Sequence, residues 1–146
     1  MFDVPLPVSN EDSEAYWGAC NKHKLLMSQC QDCQHNWLPH MGICPKCLSD
    51  NVKDVESSGK ATVVSRIVVY KSQHPAFSGR SFNVAIVELD EGPRLHTRIE
   101  GVEDNKFSIG DKMEVEYLLP AEDEAGEKVT LPVFKPLGSD WKPSAE

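Results

Sequence analysis

No run of about 18 apolar residues occurs in the 146-residue chain, so nothing in it reads as a bilayer-spanning helix and no membrane role is expected. The first ten residues carry Asp3, Pro5 and Pro7 where a secretory leader would have a basic start and an apolar run. A cytoplasmic protein is the expectation. No G-x-S-x-G element that would expose a nucleophile occurs, no Gly-rich phosphate loop, and no internal repeat. Basic residues are scarce: 15 Lys and Arg stand against 23 Asp and Glu, a formal charge of -8. That balance repels polyanions unless a local basic face overcomes it, so nucleic acid is a disfavoured partner. Much of the acid lies in two patches, Glu11 to Glu14 and Glu122 to Glu127, which leaves the remaining surface nearer neutral.

Ten prolines and nine glycines indicate many turns and short strands, and 40% hydrophobic with 26% charged residues is globular composition. Pro5 and Pro7 make residues 1–9 an extended arm. A helix is expected over roughly 10–23, with Ser9 or Asn10 as its cap, acid in its first turn, and Tyr16, Trp17, Ala19 and Cys20 as apolar surface. After the Ser57-Ser58-Gly59 punctuation, Lys60 to Tyr70 is too rich in β-branched residues for a comfortable helix. Four further strands are expected over Phe82 to Leu89, Arg94 to Glu100, Lys112 to Leu119 and Lys128 to Phe134, and the tail after Phe134 should be irregular. A mainly β protein with a five-stranded Greek-key barrel of the OB type accommodates this count, with a small two-sheet sandwich as the alternative. Three units result: arm and helix over 1–23, a module over 24–58 whose two C-x-x-C pairs, Cys30/Cys33 and Cys44/Cys47, mark it as a rubredoxin-like zinc ribbon, and an OB-fold domain with its tail over 59–146.

Cys30-Gln31-Asp32-Cys33 and Cys44-Pro45-Lys46-Cys47 are two C-x-x-C pairs ten residues apart. Such spacing lets each pair of thiolates face one ion, and four soft ligands with no open position describe a structural rather than a catalytic site. One zinc ion is expected on Cys30, Cys33, Cys44 and Cys47. Ferric iron, which would colour the protein, is the alternative. Disulfides are disfavoured in a cytoplasmic chain. Four cysteines complete the shell, so His35 and His40 are expected as loop surface, and Cys20 as a buried free thiol rather than a nucleophile. The loop Lys71 to Ser81, with His74, Phe77 and Arg80, is open to two readings, a binding loop or a surface connection.

Taken together, several features resemble a family of thiolase-associated zinc-ribbon/OB-fold proteins. They are the aromatic helix around Tyr16-Trp17, the Leu25 to Cys33 lead into the first knuckle, Pro39 before Cys44-Pro45-Lys46-Cys47, Gly59, and the Glu88-Leu89-Asp90-Glu91-Gly92 hairpin. The resemblance covers nearly the whole chain. It departs where the family commonly has glycine after each C-x-x-C, since this chain has Gln34 and Leu48. What it implies is a non-catalytic subunit in a hetero-oligomer with a thiolase-fold protein, helping to shape that partner's acyl-CoA site. Small subunits of degradative thiolases, the benzylsuccinate type among them, fall within it. On this reading CoA or partner contacts would come from Tyr16, Trp17, Arg66, Lys71, Phe77, Arg80, Arg94 and Arg98, with CoA shared between the subunits. A nucleic-acid-binding module is the alternative function, since ribbons and OB barrels both serve that role.

Overall fold

The computed structural model describes residues 5–143. Of the expected arm, residues 1–4 lie outside the described part, and the rest leads without regular structure into a turn over 11–13. The helix α1 is shorter than expected, Glu14–Asn21. Asn10 explains the late start: its Oδ1 accepts from the Asp12 and Ser13 amides at 3.0 Å each, an Asx-type turn that competes with helix. The end is set by His23, which takes a left-handed φ of 58° while the Lys24 amide bonds back to the Ala19 carbonyl.

The ribbon is a three-stranded antiparallel sheet in the order β2-β1-β3, built from β1 (Leu26–Cys30), β2 (Asn36–Trp37) and β3 (Val52–Glu56). The second sheet has the order β10-β7-β4-β5-β6, from β4 (Lys60–Val69), β5 (Phe82–Leu89), β6 (Arg94–Thr97), β7 (Lys112–Tyr117) and β10 (Pro132–Pro136). Expected strands three and four thus end early. The expected fifth strand is divided: β9 (Lys128–Val129) pairs with β8 (Ala121–Glu122) in a small hairpin, and β10 follows. A parallel bridge between Ile99 and Phe134 joins the ends of the sheet and makes it the OB-type barrel.

Alternation builds the core. Every second residue of β5, Asn83, Ala85, Val87 and Leu89, faces inward, against Ala61, Val63, Met113, Phe107 and Phe134. A bulge between Val63 and Ser65 lets the long β4 bend from β7 toward β5. Gly59 opens β4 with φ 79°, and a Cβ there would lie 2.5 Å from Val115 Cγ1, so both the backbone angle and the space require glycine.

Glu91, in the β5–β6 turn, fastens the ribbon to the barrel. Its carboxylate accepts from Ser57 Oγ at 2.7 Å and the Ser58 amide at 2.8 Å, and its carbonyl accepts from Asn36 Nδ2 at 3.1 Å. Partial burial opposes ionisation, but the Ser58 and Ser57 donors outweigh it and hold the carboxyl below its ordinary range. A lowered pKa in the folded state adds stability above the unfolded value and loses it as pH falls through the folded one. Glu91→Gln is therefore expected to cost about 1 kcal/mol at pH 7, since one charge-assisted acceptor is replaced by a neutral one. That difference should close below about pH 4.5, as wild-type Glu91 protonates. Urea titrations of both proteins across this range check it; metal release in acid is common to both and cancels. A gap that does not change with pH would remove the charge from the account.

Candidate functional site

Cys30 ends β1, and the chain turns back at Cys33-Gln34, where the Gln34 amide bonds to the Cys30 carbonyl at 2.9 Å. The second knuckle repeats this closure, with the Leu48 amide on the Cys44 carbonyl at 2.9 Å. Gln34 and Leu48 both adopt φ 64°, so each knuckle keeps the left-handed turn with a side chain where glycine would be relaxed. Asp32 ties the knuckles together, accepting from Ser49 Oγ at 2.5 Å and Asn51 Nδ2 at 3.2 Å, and these donors lower its pKa.

The four sulfurs lie within 4.8 Å of one another, with Cys30–Cys47 at 3.5 Å and Cys33–Cys44 at 3.6 Å. A tetrahedral zinc with bonds of about 2.3 Å needs sulfurs about 3.8 Å apart, so the set fits that ion. Amides are aimed at the sulfurs as well: Cys33 N–H donates to Cys30 Sγ at 3.4 Å, and Lys46 N–H to Cys44 Sγ at 3.4 Å. Burial opposes ionisation of Cys44, yet the Cys47 and Lys46 amides bring its thiol down to about 7. Cys47 goes the other way. The Ser49 amide favours its thiolate, but the proton it shares with Cys30 and its other sulfur neighbours pushes it up to about 12. Four sulfurs this close ionise together only around a cation.

Neither histidine of the loop joins the sulfurs. His35 stacks on Trp37 with ring centroids 5.8 Å apart. His40, expected at the surface, is only 7% exposed in its side chain; its Nδ1 lies 2.8 Å from Ser28 Oγ and 3.0 Å from Asp54 Oδ1. The hairpin folds it under α1 against Tyr16, and the sequence carries no local sign of this. Cys20 is fully buried, and burial pushes its thiol up to about 12 despite a hydrogen bond with Tyr16, so it is not a thiolate near neutral pH.

Beside α1, two adjoining clefts of about 400 and 360 Å³ share Tyr16, Trp17, Leu95 and His96. Arg94 and His40 line the first, Phe77 and Arg98 the second. Five of the eight residues singled out in the sequence for CoA or partner contact therefore meet here. Arg66 is elsewhere, 5.3 Å over the Phe107 ring, and Lys71 and Arg80 sit in the exposed loop between β4 and β5. The sequence reading missed His96 and Leu95, although Arg94, His96 and Arg98 recur at the period of two that puts them on one side of a strand. Trp141 is half-buried against Gly101.

Two family models match the chain: the ChsH2 rubredoxin-like zinc ribbon domain over residues 17–53, and the ChsH2 C-terminal OB-fold domain over 54–118. A probable enoyl-CoA hydratase alpha subunit of Thermomonospora curvata is 36% identical over 132 residues, 90% of this chain but 40% of that protein. The chain thus spans two fifths of that relative. A DUF35 domain-containing scaffold protein of Pyrococcus furiosus is 30% identical over 97 residues, 66% of this chain and 69% of that one. Among solved structures, a chain described as "Ltp2-ChsH2(DUF35) aldolase" superposes with a TM-score of 0.77 at 35% identity, covering 90% of this chain and 98% of that one. The chain belongs to the DUF35 family, the zinc-ribbon and OB-fold proteins of the ChsH2 type.

Proposed function

We propose that this chain is a cytoplasmic, non-catalytic accessory subunit of a thiolase-fold complex of the acyltransferase or aldolase type acting on acyl-CoA. The observation that carries the reading is the end-to-end likeness to the Ltp2-ChsH2(DUF35) aldolase chain, 98% of which is covered. The archaeal relatives described as scaffold proteins support a role in assembly. Cys30, Cys33, Cys44 and Cys47 hold one structural zinc ion, which crosslinks the two knuckles and supplies rigidity rather than chemistry. Contacts with the partner and with its CoA are assigned to Tyr16, Trp17, Phe77, Arg94 and Arg98 at the clefts, in preference to Arg66, Lys71 and Arg80 outside them.

A tagged chain isolated from its native organism tests this. A thiolase-fold protein should accompany it in fixed ratio, and thiolysis or retro-aldol cleavage of acyl-CoA should need both chains. Isolation of the chain alone, with salt-sensitive binding to single-stranded nucleic acid in anisotropy titrations, would replace the proposal with the nucleic-acid reading.

A further inference from the structure

The barrel is closed along only part of its seam. Phe134 of β10 bonds to both sides of Ile99, its N–H to the Arg98 carbonyl at 3.1 Å and its C=O from the Glu100 amide at 2.8 Å. Backbone groups alternate in direction along a strand, so the next residue of β10 that faces β6 is Pro132, which has no N–H to give. Pairing stops there.

On the other side, β6 bonds to β5. The Leu89 amide donates to the Pro93 carbonyl at 2.8 Å, which sets the alternation: Leu95 and Thr97 bond inward to Val87 and Ala85, while Arg94 and His96 point their backbone groups outward. Among the described residues, no hydrogen bond meets the N–H or C=O of Arg94 or His96 from that outward side. The two clefts lie along this edge and share Trp17 in their walls. An unpaired strand edge above apolar pockets is what a strand-adding ligand requires, because the backbone gives affinity and the pockets read alternate side chains.

We propose that this seam is a strand-addition site, on which an extended segment of the partner subunit pairs with Arg94 and His96 and seats its side chains in the two clefts. The inference rests on the accessory-subunit reading. Charge says what the segment carries. Among the described residues the clefts are lined by Arg94, Arg98, His40 and His96 and by no carboxylate, in a chain whose net charge is -8. Glu88 holds Arg94 at 3.1 Å, fixing its guanidinium beside the edge with further N–H groups to donate. The fitting occupant has apolar side chains for the clefts and a carboxylate for this rim.

Hydrogen exchange on the free chain and on the complex with the co-purified thiolase-fold subunit is the test. The Arg94 and His96 amides should exchange freely alone and at least about tenfold more slowly in the complex, as expected when solvent-facing amides enter a ladder. His96→Pro removes the outward N–H where an edge strand tolerates proline, and leaves the Leu95 and Thr97 pairing intact. It should weaken partner binding by about tenfold or more, and by clearly more than His96→Ala, which removes the cleft side chain but keeps the outward N–H. Should His96→Pro fail to fold, exchange in the wild-type complex decides alone. A complex that forms while both amides keep their free rates overturns the seam and leaves the accessory role standing. Slowing of these amides by coenzyme A alone overturns it in favour of a coenzyme site. Failure to form any complex removes both proposals.

Discussion

Stripping the metal with a chelator is expected to unfold the ribbon and spare the barrel. Among the described residues, the cluster within the ribbon comprises three buried side chains, Cys30, Trp37 and Cys44, with Cys33 and Val52 packed against it. Full burial of one large apolar side chain contributes about 1.5–3 kcal/mol, far short of ordering some thirty residues at about 1–2 kcal/mol each. Structural zinc in such modules supplies roughly 10–16 kcal/mol, which is the term that holds the fold. The barrel has its own core of ten buried residues, Leu25 among them, and should keep it. Exchange should therefore rise at Cys33, Gln34, Cys47 and Leu48 after chelation, while Val87 and Phe134 stay protected. Cys44→Ser should do the same without chelator, and lower pH should speed metal loss, because each sulfur must give up its proton to bind. Ribbon amides that remain protected in metal-free protein would refute the assignment of the four ligands.

Asn83→Leu should be the most damaging single change in the barrel. Asn83 is 1% exposed; its Oδ1 accepts from the Ile99 amide at 2.7 Å, and its Nδ2 donates to the Ile99 carbonyl and to Asp104 Oδ1, both at 2.9 Å. It holds the residue that bridges to Phe134, so it fixes the place where the barrel closes. Leucine matches its size and leaves a buried N–H, a buried C=O and a carboxylate without their partner. At about 1–3 kcal/mol for each unsatisfied group, the loss should be about 4 kcal/mol, a large part of a typical domain's stability. The melting temperature should fall by about 10 °C for a chain of this size. Guanidinium denaturation of the zinc-loaded protein measures it, and a loss under about 1 kcal/mol would show that Asn83 does not secure the closure.

Asn83 also shows where sequence reading stopped. It sits at an inward position of β5, where a polar residue on the buried face of an alternating strand announces a required partner. The partner, sixteen residues away, is not announced. The strand positions were legible because alternation is local, and the family was legible because cysteine spacing, Pro39 and Gly59 occur in order. Helix length was misread because Asn10 caps a turn rather than the helix, a choice between two local hydrogen-bonding patterns open to the same residues. His40 was misread because an imidazole in a polar loop reads as surface until β1 and β3 bring Ser28 and Asp54 to it.

By itself the sequence determined the ligand set that fits zinc and the mainly β, two-part architecture, because C-x-x-C spacing and period-two hydrophobicity act over a few residues. Only the tertiary structure decided that the clefts gather Tyr16, Trp17, Phe77, Arg94 and Arg98 while Arg66, Lys71 and Arg80 fall elsewhere. It also decided that, among the described residues, no strand pairs with the edge at Arg94 and His96 beyond Pro132. Both depend on which strand lies beside which, and that is set by barrel closure between residues far apart in the chain.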